Sequence, residues 1–208
     1  MKTKTIIVIL FLSMLVSSCV LSSLFPLYKE SDLIRDDRIV GTWLAEERED
    51  YIEYWTFEWV DTSEAGSSFF GPGAWEKYNT GKTYRVTVAE NALEQEFAAN
   101  LLELDGKTYM DFYPVDFEIE HGFLAWHMVP VHLFSQIEIK EDNLIFYWCD
   151  VDYFKELIEQ NKVKISHISN KGEILITAST GELQRFIKKY GEEVFNYSEP
   201  DTIPRASL

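Results

Sequence analysis

The side chains able to do chemistry in this 208-residue chain are two cysteines, four histidines and 35 acids. His121, His127 and His132 lie in one run with Glu118 and Glu120, and imidazoles with carboxylates are a zinc-binding chemistry. Their spacings of six and five put them on neither one helical face nor one strand face, so separate structural roles are expected, and no metal site. An acid pair such as Asp111 and Glu118 carries the groups of a glycosidase dyad, which needs a separation of about 5–9 Å that spacing alone does not set; solvated acids are the expectation. Gly-x-Ser-x-Gly, GxGxxG and P-loop patterns are absent. These residues predict a non-enzymatic protein without a cofactor. Nineteen Lys and Arg against 35 Asp and Glu give a formal charge of −16, which repels a phosphate backbone and excludes nucleic acid as a partner. With 46% apolar residues the chain is no disordered acidic polymer, and its length suits one domain with a core.

Cys19 has the most telling surroundings. Met1 to Thr5 carries Lys2 and Lys4 and no acid, and Ile6 to Val16 follows, apolar but for Ser13. As a helix that run is roughly 17 Å long against a hydrocarbon core of about 30 Å, too short to span and suited to a signal peptide. Val16-Ser17-Ser18-Cys19 comes next. An aliphatic residue, two small residues and a Cys resemble the lipobox of bacterial lipoproteins. The resemblance implies a signal peptide over 1–18, cleavage before Cys19, a diacylglyceryl group on its thiol and acylation of the new N-terminus, because one chain alone holds only marginally. It places the protein in the bacterial cell envelope, membrane-anchored through the lipidated N-terminal cysteine, with the acidic domain outside the cytoplasm. An uncleaved span over Ile6 to Leu27 is the rival, weakened by five Ser and Pro26. Cys149, in the run LIFYWC, is left without a disulfide partner and reads as a buried apolar residue. Residues 19–38 form the lipidated N-terminus and tether, roughly 24 Å in root-mean-square span as a coil. Leu21, Leu24, Phe25, Leu27 and Tyr28 suit either the headgroup region or packing on the domain.

From Ile39 the pattern turns to period two. Strands are expected over 39–45, 51–60, 82–89, 92–104, 107–113, 131–140 and 144–149, with Asp105-Gly106 a hairpin turn. Seven strands with short connections make an antiparallel meander, and closing into a barrel removes exposed edges. In the C-terminal third, Asp150 or Asp152 caps a helix over 151–160, and short strands follow over 163–167 and 173–177. Ser179 and Glu182 form a capping box for a helix with Leu183, Phe186, Ile187 and Tyr190 on one stripe, ended at Gly191. Pro200 to Leu208 reads as a tail. The expected fold class is mainly β with minor α, as one domain over 39–208.

Gly41-Thr42-Trp43 at the first strand resembles the Gly-x-Trp opening of lipocalin-type barrels, where the Trp closes the floor and the Gly lets the chain pass tightly. The family's Thr-Asp-x-x-Tyr stretch is absent. The whole domain also resembles uncharacterised bacterial lipoproteins that open on Gly-Thr-Trp and end near a segment like Leu175 to Gln184. A lipocalin-like barrel would put Trp55, Phe57, Trp59, Tyr84 and Tyr109 on an interior that either is filled by them or holds a small apolar ligand. Phe69, Phe70 and Trp75, on a glycine-rich loop, are candidates for a lid or for docking an envelope partner. The alternatives are a filled, purely structural or interaction barrel, and a carbohydrate-binding protein.

Overall fold

Alternating side chains give each strand two faces, and in the later strands of the main sheet both faces are covered, by different parts of the chain. The computed structural model describes residues 20–48, 51–60, 67–68, 71–72, 75, 78, 80–90, 93–116, 127–171 and 173–207. In chain order the strands are β1 (Ser22–Ser23), β2 (Gly41–Arg48), β3 (Tyr51–Trp59), β4 (Ser67–Ser68), β5 (Gly71–Pro72), β6 (Thr83–Glu90) and β7 (Leu93–Leu104). They continue with β8 (Lys107–Asp116), β9 (His132–Lys140), β10 (Asn143–Tyr147), β11 (His167–Asn170), β12 (Glu173–Ile176) and β13 (Asp201–Pro204). Two helices, α1 (Val151–Glu159) and α2 (Thr180–Val194), complete the fold.

The seven expected strands are β2, β3, β6, β7, β8, β9 and β10, each antiparallel to the next. Asp105 and Gly106 both take positive φ, 54° and 75°, as a two-residue hairpin demands. The outer edge of β9 is shared. Its start pairs with β1 (Leu133 with Ser22) and its end with β10 (Lys140 with Asn143). The sheet therefore forks: one arm runs through β10 to β13, the other through β1 and β12 to β11. The residues expected as a tail supply β13, paired antiparallel to β10.

The expectation of a barrel closed by a continuous ladder is not met. Among the described residues the backbone of β2 meets the end of β13 in one bridge, Trp43 to Arg205, made by a hydrogen bond from the Ala206 N–H to the Thr42 carbonyl at 2.9 Å. β13 ends at Pro204, which has no N–H to extend a ladder. A side chain makes the seam instead. Arg205 stacks its guanidinium 4.3 Å from the Trp43 ring centroid and donates to the carbonyls of Val40 (3.0 Å) and Arg38 (2.5 Å). Trp43 is fully buried and its indole N–H donates to the Ile39 carbonyl at 2.8 Å. Gly41 has φ +124°, and a Cβ there would lie 2.6 Å from Arg205 Nη1.

One face of the sheet encloses Ile39, Trp43, Phe57, Tyr84, Leu101 and Phe146 among others. The opposite face of β7, β8, β9 and β10, through Leu102, Tyr109, Phe134 and Tyr147, packs against α1 and α2. Asp150 caps α1 by accepting the Tyr153 N–H at 2.9 Å. Glu182 caps α2 by accepting from the Ser179 N–H (3.0 Å) and hydroxyl (2.7 Å). α2 does not stop at Gly191 but runs on to Val194. Gly191 sits under Tyr109, whose hydroxyl would be 3.6 Å from a Cβ at that position, so its small size serves packing rather than termination. Val163 to Ser166 is not strand; the pairing segment is β11, displaced toward the turn. The segment expected as a tether is built into the domain from Leu21 onward, with Leu21, Leu27 and Leu33 buried and β1 hydrogen-bonded between β9 and β12.

Arg205→Ala removes the stacked cation and two charge-assisted hydrogen bonds, and is expected to cost about 2–3 kcal/mol in urea unfolding. Gly41→Ala, which must both strain the backbone and displace the guanidinium, is expected to cost about 2 kcal/mol or more by the same measurement.

Candidate functional site

The enclosed face is tiered. At its floor lies the chain from Ile34 to a 3-10 turn, Asp37–Ile39. Trp59 and Tyr84 stack there with centroids 4.1 Å apart. Arg35 lies over Trp59 at 3.8 Å, and the Trp59 indole N–H donates to Asp37 at 3.0 Å. The Tyr84 hydroxyl donates to the Asp36 carbonyl (3.0 Å) and accepts the Asp36 N–H (2.9 Å); burial pushes its phenol up to about 12. Phe57, fully buried, makes the middle tier, edge-on to Tyr84 at 6.3 Å.

Further along β3, about 13 Å from Trp59 at the rise of a strand, Trp55 meets Phe112 (5.8 Å) and Phe146 (5.5 Å) edge-on. Trp148 lies flat on Phe146 at 5.6 Å with only 10° between the planes. Trp55, Trp148 and Phe97 are half-buried, whereas Trp43, Phe57, Tyr84 and Phe146 are closed off. At this aromatic end Glu53 accepts the Tyr51 hydroxyl at 2.6 Å and the Trp55 indole N–H. The hydrogen bond to Glu53 and burial hold the Tyr51 phenol above its ordinary range. The site thus offers flat apolar faces with Glu53 beside them, paired in register with Glu46 of β2 and Glu90 of β6.

Of the five expected interior aromatics, Trp55, Phe57, Trp59 and Tyr84 share this face. Tyr109 does not. It lies on the helix-covered face, 5.6 Å from Phe195, where burial pushes its phenol up to about 12. Trp75 is not a lid residue: it is 4% exposed and packs with Tyr78, Ala98 and Val115 on the outer face of the sheet. Its indole N–H donates to Glu96 at 3.2 Å and Arg85 lies 5.0 Å from its ring. Phe69, Phe70, Cys19, His121 and Glu118 lie outside the described residues. Cys149 is buried, and burial raises its thiol far above the range in which a thiolate forms.

A second cluster, unread in the sequence as a unit, sits on the helix-covered side. Asp111 is fully buried, with one carboxylate oxygen 2.7 Å from His132 Nδ1 and the other accepting the Leu27 N–H at 2.7 Å. The His132 ring lies 4.6 Å from Tyr113 and 6.5 Å from Tyr28. Burial pushes the Asp111 carboxyl upward, against His132 and the Leu27 amide, which favour its charged form. Beside it on β7, Asn100 Oδ1 accepts the Thr83 hydroxyl at 2.7 Å while its buried amide nitrogen has no partner. The same strap is held from α2: Gln184 donates to the Leu27 carbonyl (2.8 Å) and to Asp32 (2.6 Å), and Thr180 donates to the Pro26 carbonyl (2.8 Å). An acid that orients an imidazole is a base-activating arrangement in an open cleft; here the pair fastens residues 26–32 to β8 and β9.

Among the described residues, no group of three or more His, Cys, Asp and Glu is placed to hold a metal ion, and no helix is long and apolar enough to cross a membrane. Comparison with protein-family models, curated proteins and solved structures finds no match for the chain.

Asp111→Ala leaves the Leu27 amide and the imidazole buried without a partner, and is expected to cost about 3 kcal/mol. Because the folded carboxyl titrates above its unfolded value, wild type loses stability as pH rises through the raised value and keeps it below about 3.9. Asp111→Asn lacks that titration. Urea midpoints against pH should show wild type falling relative to the Asn variant as pH increases.

Proposed function

We propose that this is a lipid-anchored protein of the bacterial envelope that binds rather than catalyses, and that its aromatic end takes a small, flat, apolar ligand. On this reading the arm through β10 and β13 wraps round to β2 as a lipocalin-like barrel, sealed at the floor by Arg205 and Trp43. The observation that carries it is the run of rings from Trp59 through the buried Tyr84 and Phe57 to a cluster of three half-buried rings, Trp55, Phe97 and Trp148, since apolar sites are concave surfaces with a few placed polar groups. Glu53 would be the polar group here. The anchor rests on the lipobox residues alone: labelled palmitate should enter wild type and not Cys19→Ala, and labelling of the Ala variant would remove the lipid reading.

A second reading, a filled interaction domain, is favoured by Trp43, Phe57 and Tyr84, and by Phe146 at the aromatic end itself, which leave almost no exposed surface. The two readings separate on titration with N-phenyl-1-naphthylamine. Saturable binding that weakens about tenfold or more in Trp148→Ala, a loss of about 1.4 kcal/mol, supports the ligand site. Absence of binding, or equal binding by the variant, leaves the filled domain.

A further inference from the structure

The charge of the chain is unevenly placed. Between Lys162 and Lys189 stand six cations against two acids, Glu173 and Glu182, in a chain of formal charge −16. Four of the six, Lys162, Lys164, Arg185 and Lys189, line one cleft of about 780 Å³ between the segment after α1 and the exposed side of α2. Most described cations elsewhere are matched with acids, among them Arg35 with Asp37, Arg38 with Asp36, Arg48 with Glu46, Lys140 with Glu138 and Lys155 with Asp152. The four in the cleft form no ion pair within 4.0 Å among the described residues. The acid in the lining, Glu182, is turned back onto Ser179, whose hydroxyl and N–H hold its carboxyl below the usual carboxylate range.

Beneath these charges the cleft is apolar. Val163 and Phe186 are buried and Ile158, Ile165 and Tyr190 half-buried, with the Lys189 ammonium 4.7 Å from the Tyr190 ring. His167 donates from Nδ1 to the Ile165 carbonyl at 2.9 Å, which holds its ring at the rim. Four cations gathered against the single acid Glu182, which also feels Arg185, repel one another, and an anion relieves that repulsion; guanidinium and ammonium groups are the side chains that bind phosphate. The apolar floor suits an anion with a hydrocarbon portion.

We propose that this cleft binds the phosphate headgroup of an anionic lipid, with Lys162, Lys164 and Arg185 on the phosphate and the hydrocarbon against Ile158, Ile165 and Tyr190. The position in the fold agrees. His167 of β11 pairs with Ile176 of β12, and Ile176 pairs with Ser23 of β1, so the rim stands two strand spacings, about 10 Å, from the strand that leads to Cys19. The choice of a lipid over a soluble phosphate rests on the anchoring proposed for Cys19; the anion chemistry does not.

The test is titration of the detergent-solubilised full chain with dihexanoyl phosphatidic acid, dihexanoyl phosphatidylcholine and inorganic phosphate. Wild type is expected to bind phosphatidic acid most tightly, and Lys164→Glu/Arg185→Glu to bind it at least about tenfold more weakly. Lys188→Glu, on α2 but outside the cleft lining, should leave affinity unchanged. A charge-reversed variant that binds equally well overturns the site, and so does phosphatidylcholine that binds as tightly as phosphatidic acid. Inorganic phosphate as tight as phosphatidic acid overturns the lipid assignment. Cys19 lipidation is read separately by palmitate labelling, so failure of the anchor and failure of the cleft give different results. All of the altered residues are exposed, and an unchanged thermal midpoint confirms that each variant is folded.

Discussion

One guanidinium holds the two ends of the domain together. Arg205 is followed by three residues in the 208-residue sequence, yet beside an ion pair with Asp142 at 3.9 Å its partners, the Trp43 ring and the carbonyls of Val40 and Arg38, belong to the first long strand and the turn before it. Apart from that side chain, β13 meets β2 through the single Trp43–Arg205 bridge and through Ile203, which shares an apolar cluster with Trp43. The geometry explains three residues at once. Trp43 must be large and flat to be stacked upon, Gly41 must lack a Cβ because the guanidinium occupies its place, and Arg205 needs a fork of donors rather than a point charge. The floor then organises what lies above it, since the segment held by Arg205 also meets Tyr84 and Trp59.

The fork at β9 divides the remaining structure into two sets of demands. On the enclosed side, rings pack on rings, with Phe57 and Tyr84 buried between half-buried Trp59 at one end and Trp55 and Trp148 at the other. On the other side a short sheet and two helices cover a face that is largely apolar but carries the polar stripe Thr83, Asn100, Asp111 and His132, with Gln136 beyond it. That stripe resists burial, and it is accommodated by an N-terminal strap whose backbone N–H and C=O groups meet Asp111 and Gln184. The strap is therefore selected by hydrogen-bond partners as much as by the burial of Leu21 and Leu27.

Most of this meander was legible because one-sided alternation, Asp105-Gly106 and the Ser179–Glu182 box are local signals. What failed to read had non-local causes. Tyr109 was assigned to the interior because its strand is buried on both faces, and alternation then no longer says which face is inside. β13 was hidden by Pro200 and Pro204, which break the pattern although an edge tolerates them. Trp75 stood among glycines and small residues, with nothing local to show that Arg85 and Glu96 wait beneath it. Asp111 and His132 fell on strand positions that look solvent-facing; the apolar Leu102, Tyr109 and Phe134 on the same face were the available sign that it is covered. The unpaired cations of the C-terminal third were visible as a run, but only α2 and the segment after α1 bring them into one cleft.

The strap also sets how freely the domain could move on a membrane. A coil from Val20 to Arg38 would have been a leash some tens of ångströms in reach. With Leu21 buried and Ser22 already in a strand, the slack between the folded body and an acyl chain on Cys19 shrinks to two residues, roughly 7 Å fully extended. With the anchor proposed for Cys19, such a body would have little freedom to tumble or roam above a bilayer. It would ride against the headgroups in one narrow range of tilts, so that whichever surface lies beside β1 is pressed to the lipid and the opposite surface is the one offered to the rest of the envelope.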